Sequence, residues 1–222
     1  LSVAQAVKSS GGIVICQVDE LVELHTVNPH MIKVPGIYID YIVVAQDREA
    51  IPQNMARTKG ATYEPAFTGE VLKEVKTEVA SVPLNERKVI ARRAALELGP
   101  GYNVNMGLGM PTTVPMILAE AGVDDKITMI SETGTIGGVP GTERLDFGCH
   151  WNPEAFSDHG EHFSYFDGGN LDCGVFGLSE VDADGNMNTS HLNGSITGVG
   201  GFTDISSNAK KVLFIGTFTA VG

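Results

Sequence analysis

The stretch that decides the fold is Tyr102-Asn103-Val104-Asn105-Met106, followed by Gly107-Leu108-Gly109-Met110-Pro111-Thr112, an apolar segment from about Thr113 to Glu120, Gly122, and Lys126-Ile127-Thr128-Met129-Ile130. A short β-rich run, a Gly-x-Gly loop, a helical stretch ended by glycine and a second β-rich run make a strand–helix–strand unit of about 30 residues, which implies a parallel sheet with helices packed on it. The predicted class is therefore α/β, an open and mostly parallel sheet flanked by helices. Upstream, Asn85-Glu86-Arg87-Lys88 leads into an amphipathic helix over Val89–Leu98 that Gly99-Pro100-Gly101 stops. Downstream, strand-like pieces lie at Cys173–Leu178, Ser179–Val181 and Val212–Gly216.

Outward from this unit the chain changes character. Ser2–Lys8 reads as a short helix ending at Gly11-Gly12, and Ile13–Val18 and Gly36–Val44 read as apolar strands of the kind buried in a sheet. One helix and two strands do not make a domain, so residues 1–45 are expected to be the end of a preceding, similar domain. Residues 46–83, polar and punctuated by Pro52, Gly60 and Pro65, read as a connector. Residues 84–222 read as a carboxyl-terminal catalytic α/β domain that is incomplete.

Composition excludes several classes. The 222 residues carry a net charge of −12 with 15 basic residues in no run, which disfavours nucleic acid and anionic membrane as partners. Three cysteines at spacings without a CxxC pair suggest neither a disulfide framework nor a zinc knuckle. No stretch approaches the length of a membrane-spanning helix and the amino end carries no signal peptide, so a cytoplasmic protein is expected. Glycine is the outlier: 27 of 222, about 12% against a usual ~7%, and 22 of them lie after Leu98.

Three glycine motifs carry the chemistry. Asn105, Gly107 and Gly109 sit at a strand-to-helix junction, where freed backbone N–H groups favour a phosphate or carboxylate, although a tight turn explains the same residues. No Walker pattern is present, which disfavours a nucleotide triphosphatase. Ser131-Glu132-Thr133-Gly134-Thr135-Ile136-Gly137-Gly138-Val139-Pro140-Gly141 follows the next strand and places one carboxylate beside a glycine-rich loop. Such a glutamate can act as a general base, or as a nucleophile on an acyl carbon if nearby N–H groups stabilise the oxyanion; a turn-capping role is the simpler alternative. Gly198-Val199-Gly200-Gly201-Phe202 can bend into a nest of N–H groups.

Other residues are weaker candidates. His150, His159 and His162, with Asp158 and Glu161, are spaced too unevenly for a metal site and are expected to be solvated or hydrogen-bonded. Trp151, Phe163, Tyr165 and Phe166 line a channel or a core. Asp182, Asp184 and Gly185-Asn186 read as a hairpin turn, and Cys149 and Cys173 lack a base nearby in sequence.

The strings NMGLGMPT (105–112), SETGTIGGVPG (131–141), DGGNLD (167–172), EVDADGNMN (180–188) and GVGGFTDIS (198–206) resemble the carboxyl half of the family I CoA-transferases. Within that family the resemblance is to the fused-chain branch of acetate or propionate CoA-transferases, which are similar to acetoacetyl-CoA transferases. QAVKSSGGIVICQV (5–18) and KVPGIYIDYIVVA (33–45) resemble the end of that family's amino-terminal half. The resemblance implies that Glu132 is the catalytic glutamate, acylated and then carrying CoA as a γ-glutamyl thioester. It implies a backbone oxyanion donor at Gly200-Gly201, with Gly137, Gly138, Asn105, Gly107 and Gly109 as further oxyanion or CoA-binding positions. Arg92 and Arg93 would then contact CoA phosphates or, more simply, solvent. Coenzyme A is a substrate, with no permanently bound cofactor and no metal. The expected partners are acyl-CoA, a short-chain carboxylate, the amino-terminal half of the same chain and further copies in a homo-oligomer. Glu132-Thr133-Gly134 stands where the separate-subunit branch usually has Glu-Asn-Gly, a departure that fits the fused-chain branch. Two alternatives share the site: an acyl-CoA hydrolase using the same glutamate, and a non-catalytic domain that senses CoA or acyl groups.

Overall fold

The computed structural model describes residues 1–46, 64–75, 81–141 and 148–217. The chain divides into two compact units, Leu1–Tyr63 and Glu64–Gly222. The division falls inside the stretch read as a connector. Most of that stretch lies outside the described residues, but residues 64–75 belong to the second unit, where Ala66 and Phe67 are buried and the Phe67 ring packs on Trp151 at 4.8 Å.

In the first unit, helix α1 (Ser2–Ser9) accompanies two parallel strands, β1 (Ile15–Val18) and β2 (Tyr41–Val44), with Ile15 opposite Tyr41 and Val18 opposite Val44. The Asp40 carboxylate accepts from the Lys8 ammonium at 2.6 Å and the Val14 N–H at 2.8 Å. Both predicted strands are shorter than the sequence suggests, and Gly36–Tyr38 forms a 3-10 turn instead. The expectation that they are buried does not hold: no described residue of this unit is buried, and Ile15 is 64% exposed. Two strands and one helix supply no second layer to cover the sheet.

The second unit is built as its pattern predicts. Helix α2 (Glu86–Ala95) starts three residues earlier than expected because the Asn85 side chain accepts from the Lys88 N–H at 3.0 Å, a typical N-cap. Next come β3 (Asn103–Met106), α3 (Thr113–Glu120, the predicted bounds) and β4 (Thr128–Met129). The strand expected over Lys126–Ile130 is shorter, because Asp124–Lys126 winds into a 3-10 turn. Two small antiparallel pairs follow, β5 (Thr135–Ile136) with β8 (Ala155–Phe156) and β6 (Val139–Pro140) with β7 (His150–Trp151). Helix α4 (His159–Asp167), capped by Asp158, leads to β9 (Cys173–Gly177).

The hairpin read at Asp182–Asn186 is present, joining β10 (Glu180–Val181) to β11 (Met187–Asn188). Asp182 is consumed by that turn, accepting from the Asp184 and Asn186 N–H groups. A second hairpin, β12 (His191–Leu192) with β13 (Ser195–Ile196), precedes α5 (Phe202–Asn208) and β14 (Val212–Ile215).

The central sheet has the order β14-β9-β3-β4, every pair parallel. Strand β9 shows why both faces must be covered. Cys173 and Val175 join Val104, Ala91, Val114 and Ile117 in the core beneath α2 and α3, while Phe176 joins Phe166, Leu171 and Ile205 beneath α4 and α5. Alternating side chains point to opposite faces, and each fully buried aliphatic or aromatic residue contributes about 1.5–3 kcal/mol. Helix α2 is less amphipathic than its sequence suggests, since its buried face is only Lys88, Ala91 and Ala94, and Val89 is exposed. The Lys88 ammonium is satisfied by the Val82 carbonyl and Glu120 at 2.6 and 2.7 Å.

Candidate active site

The site forms where the parallel strands end. Beyond β3, the Gly107 N–H donates to the Val175 carbonyl at 2.8 Å, extending the β3–β9 contact past the strand, and a Cβ at Gly107 would crowd that oxygen at 3.2 Å. Asn105 is 3% exposed and its Nδ2 donates to the Ile130 carbonyl at 2.9 Å, tying β3 to the residue that precedes Ser131-Glu132. A tight turn follows: the Gly134 N–H donates to the Ser131 carbonyl, and the Thr133 N–H to Ser131 Oγ, both at 3.2 Å. Glu132 thus projects from a turn pinned at its base.

A cavity of about 430 Å³ opens beside it, lined by Asn105, Gly107, Glu132, Phe176, Gly200 and Gly201 among others. Gly201 approaches closely enough that a Cβ there would stand 2.4 Å from Glu132 Oε2 and 2.9 Å from Phe163 Cζ. Glu132 is half-buried, and among the described residues its carboxylate makes no hydrogen bond. Burial pushes its carboxyl above the ordinary glutamate value, an effect that nearby His159 partly offsets. Nor are the Gly200 and Gly201 N–H groups engaged within the described residues. A carboxylate without hydrogen-bond partners among the described residues and raised in basicity is suited to attack an electrophilic carbon, and the uncommitted N–H groups that line the same cavity are suited to stabilise the charge that develops there.

The structure brings Glu132 together with Asn105, Gly107, Gly200 and Gly201, residues far apart in sequence. Gly109, Gly137 and Gly138 do not line the cavity. Gly109, at φ +87°, precedes the turn into α3. The Gly137 N–H is committed to the Met129 carbonyl, and its own carbonyl to His150 Nδ1 at 2.6 Å. A Cβ at Gly138 would meet the Trp151 carbonyl at 2.3 Å. Both belong to the hairpin that follows Glu132.

The histidines do not converge: His150 is buried within β7 of that hairpin, His162 in α4 binds Ser157 Oγ, and the His159 ring lies tilted against Phe163 at 4.7 Å. Burial lowers the His150 and His162 values, favouring neutral rings. Burial also pushes the Cys173 thiol up to about 11, which leaves it protonated and poorly nucleophilic near neutral pH. Arg93 pairs with Glu97 at 2.6 Å. No lysine or arginine lines the cavity among the described residues. Sequence reasoning missed Thr189 and Thr197, which line the cavity and are joined by a bond from Thr197 Oγ1 to the Thr189 carbonyl; nothing in their local sequence marks them. Phe163 was visible only as one of an aromatic group.

No family model matches the chain. It is 45% identical to a caffeate CoA-transferase of Acetobacterium woodii, over 99% of this chain and 42% of that protein. It is 36% identical to the acetate CoA-transferase YdiF of Escherichia coli K12, over 99% of this chain and 40% of the relative. The chain therefore spans about two fifths of the length of these relatives. A solved structure of the acyl-CoA transferase YdiF from Escherichia coli O157:H7, a thioester complex with CoA, covers 99% of this chain and 39% of its own, with TM-score 0.82 and 34% identity. Over nearly its whole length this chain is similar in sequence to these CoA-transferases, and it shares the α/β fold of the YdiF structure.

Proposed function

We propose that this chain carries the nucleophile of a CoA-transferase that moves CoA between a short-chain acyl-CoA and a free carboxylate such as acetate or propionate. The observation that carries this reading is the Glu132 carboxylate, without a hydrogen bond among the described residues and set against Gly201 across an open cavity. Glu132 attacks the thioester carbonyl and CoA leaves as thiolate, giving an acyl-glutamyl anhydride. The thiolate then attacks the γ-carbonyl of Glu132, releasing the first acid and leaving a γ-glutamyl-CoA thioester; the second acid reverses these steps. One thioester is exchanged for another, so the reaction is nearly balanced and requires no ATP. Backbone N–H groups at Gly200 and Gly201 are assigned to the oxyanion, and one such donor contributes about 2.7–4 kcal/mol in comparable sites.

Thr133 after the glutamate, and relatives more than twice as long as this chain, support the fused-chain branch, with the amino-terminal half of the same polypeptide completing the site. The caffeate CoA-transferase at 45% identity raises an arylacrylate as the competing acid. Incubating the full-length protein with acyl-CoA and reducing with borohydride tests the mechanism: the label should fall on Glu132, and labelling elsewhere overturns it. Turnover without any carboxylate acceptor would make the protein a hydrolase instead, and competition between acetate, propionate and caffeate decides the acid.

A further inference from the structure

Joined to the Glu132 turn, and outside the lining of the cavity, is a polar group that the proposed reaction does not use. His162 in α4 is 3% exposed, packed edge-on against Phe166 at 4.9 Å, with Nδ1 2.7 Å from Ser157 Oγ. Ser157 is in turn joined to the end of the Glu132 turn: its N–H donates to the Gly134 carbonyl at 2.9 Å, and its hydroxyl lies 3.4 Å from the same oxygen. Gly134 holds φ +109°, and a Cβ there would be 2.3 Å from the Ser157 carbonyl, so the two backbones are in direct contact.

The Ser157 hydroxyl therefore bridges the His162 ring and the Gly134 carbonyl. His162 Nε2 is buried without a hydrogen-bond partner.

We propose that His162 is a positioning residue that, through Ser157, clamps the Gly134 end of the Glu132 turn, so that the carboxylate is held toward Gly201. The kinetic part of this inference rests on the CoA-transferase reading; the geometric part does not. In a site of this kind a displacement of about 1 Å in the reacting group costs on the order of a hundredfold in rate.

The experiment uses the full natural chain and four forms: wild type, His162→Phe, His162→Gln and Ser157→Ala. Phenylalanine keeps the packing on Phe166 and removes both nitrogens, glutamine offers an amide to the Ser157 hydroxyl in place of the ring, and alanine removes only the hydroxyl. Carbodiimide-promoted coupling of an amine to Glu132, followed by peptide mass analysis, reads the setting of that carboxyl whether or not the protein turns over. His162→Phe and Ser157→Ala are expected to change this coupling rate about fivefold or more, with coupling at Glu23 in the other unit unchanged. Where wild type transfers CoA, kcat falls about tenfold or more in both, KM for acyl-CoA stays within about twofold, and His162→Gln recovers most of the loss. An unchanged Glu132 coupling rate in variants with native circular dichroism overturns the proposal. A wild type that couples normally at Glu132 but transfers no CoA overturns the functional reading instead. If His162→Phe does not fold, Ser157→Ala decides alone.

Discussion

Gly137-Gly138 and Gly200-Gly201 are two glycine pairs, one just after Glu132 in sequence and the other far along the chain but lining the same cavity as Glu132. The hairpin pair is closed in: both residues hold φ +72°, a Cβ at Gly137 would meet the Glu154 side chain at 2.5 Å, and one at Gly138 the Trp151 carbonyl at 2.3 Å. The later pair is open. Nothing lies within 4 Å of a Cβ at Gly200, and what a Cβ at Gly201 meets is the Glu132 carboxylate and the tip of Phe163. Glycine serves the first pair, and Gly200 at φ +55°, by permitting a left-handed backbone, whereas Gly201, at an ordinary φ, leaves room at a carboxylate. Substitutions at the two sites should therefore fail in different ways, one in stability and the other in chemistry.

The largest expected effect is at the residue that the open pair faces. Glu132→Gln keeps the shape and removes the proposed nucleophile, so transfer in the full-length protein should fall on the order of 10⁴-fold or more, with unaltered acyl-CoA binding by calorimetry. Substantial residual exchange would remove Glu132 from the covalent role. Gly201→Ala comes next. Its φ of −79° is ordinary for alanine, so the fold should persist while the new methyl displaces the carboxylate and costs about a hundredfold in kcat. Gly138→Ala should show the reverse pattern, losing about 1–3 kcal/mol in denaturant unfolding while the molecules that remain folded transfer CoA normally. If both alanine variants lost activity and stability together, the distinction between the pairs would collapse.

The sequence made one side of this contrast readable and hid the other. Strand–loop–helix patterning gave α3 its bounds and placed Glu132 at a strand end, because hydrophobic periodicity and glycine stops are local signals. It treated both glycine pairs as ligand loops, since a positive φ and a vacant approach look alike as a string of glycines. What separates them is pairing across the β6–β7 hairpin and the arrival of Gly201 at Glu132, which depend on contacts between distant residues. His162 was legible as a hydrogen-bonded histidine but not as a clamp, because its link to Gly134 runs through Ser157. The first unit shows the opposite failure. Its apolar strands were found, yet burial was inferred from composition, and Ile13, Ile15 and Ile42 stand more than half exposed.

The smallest expected effect tests whether the open side is held at a cost. Burial raises the Glu132 carboxyl in the folded state, so between its unfolded and folded values the native form binds the extra proton and stability falls as pH rises. Above the folded value the ionised carboxylate is a net destabilising group, and Glu132→Gln should unfold at a slightly higher temperature than wild type at neutral pH. That advantage should shrink as pH falls through the raised folded value, and vanish below the ordinary glutamate value, where the carboxyl is neutral in both states. The same burial puts the acid limb of kcat/KM above the pH expected for an exposed glutamate, because only the ionised form attacks. His159 near the carboxylate limits the shift, so His159→Gln should move that limb further toward neutral pH. A limb that stays in place would mean that His159 carries no charge that Glu132 feels, and a Glu132→Gln variant no more stable than wild type at neutral pH would mean that the unpaired carboxylate is fully solvated.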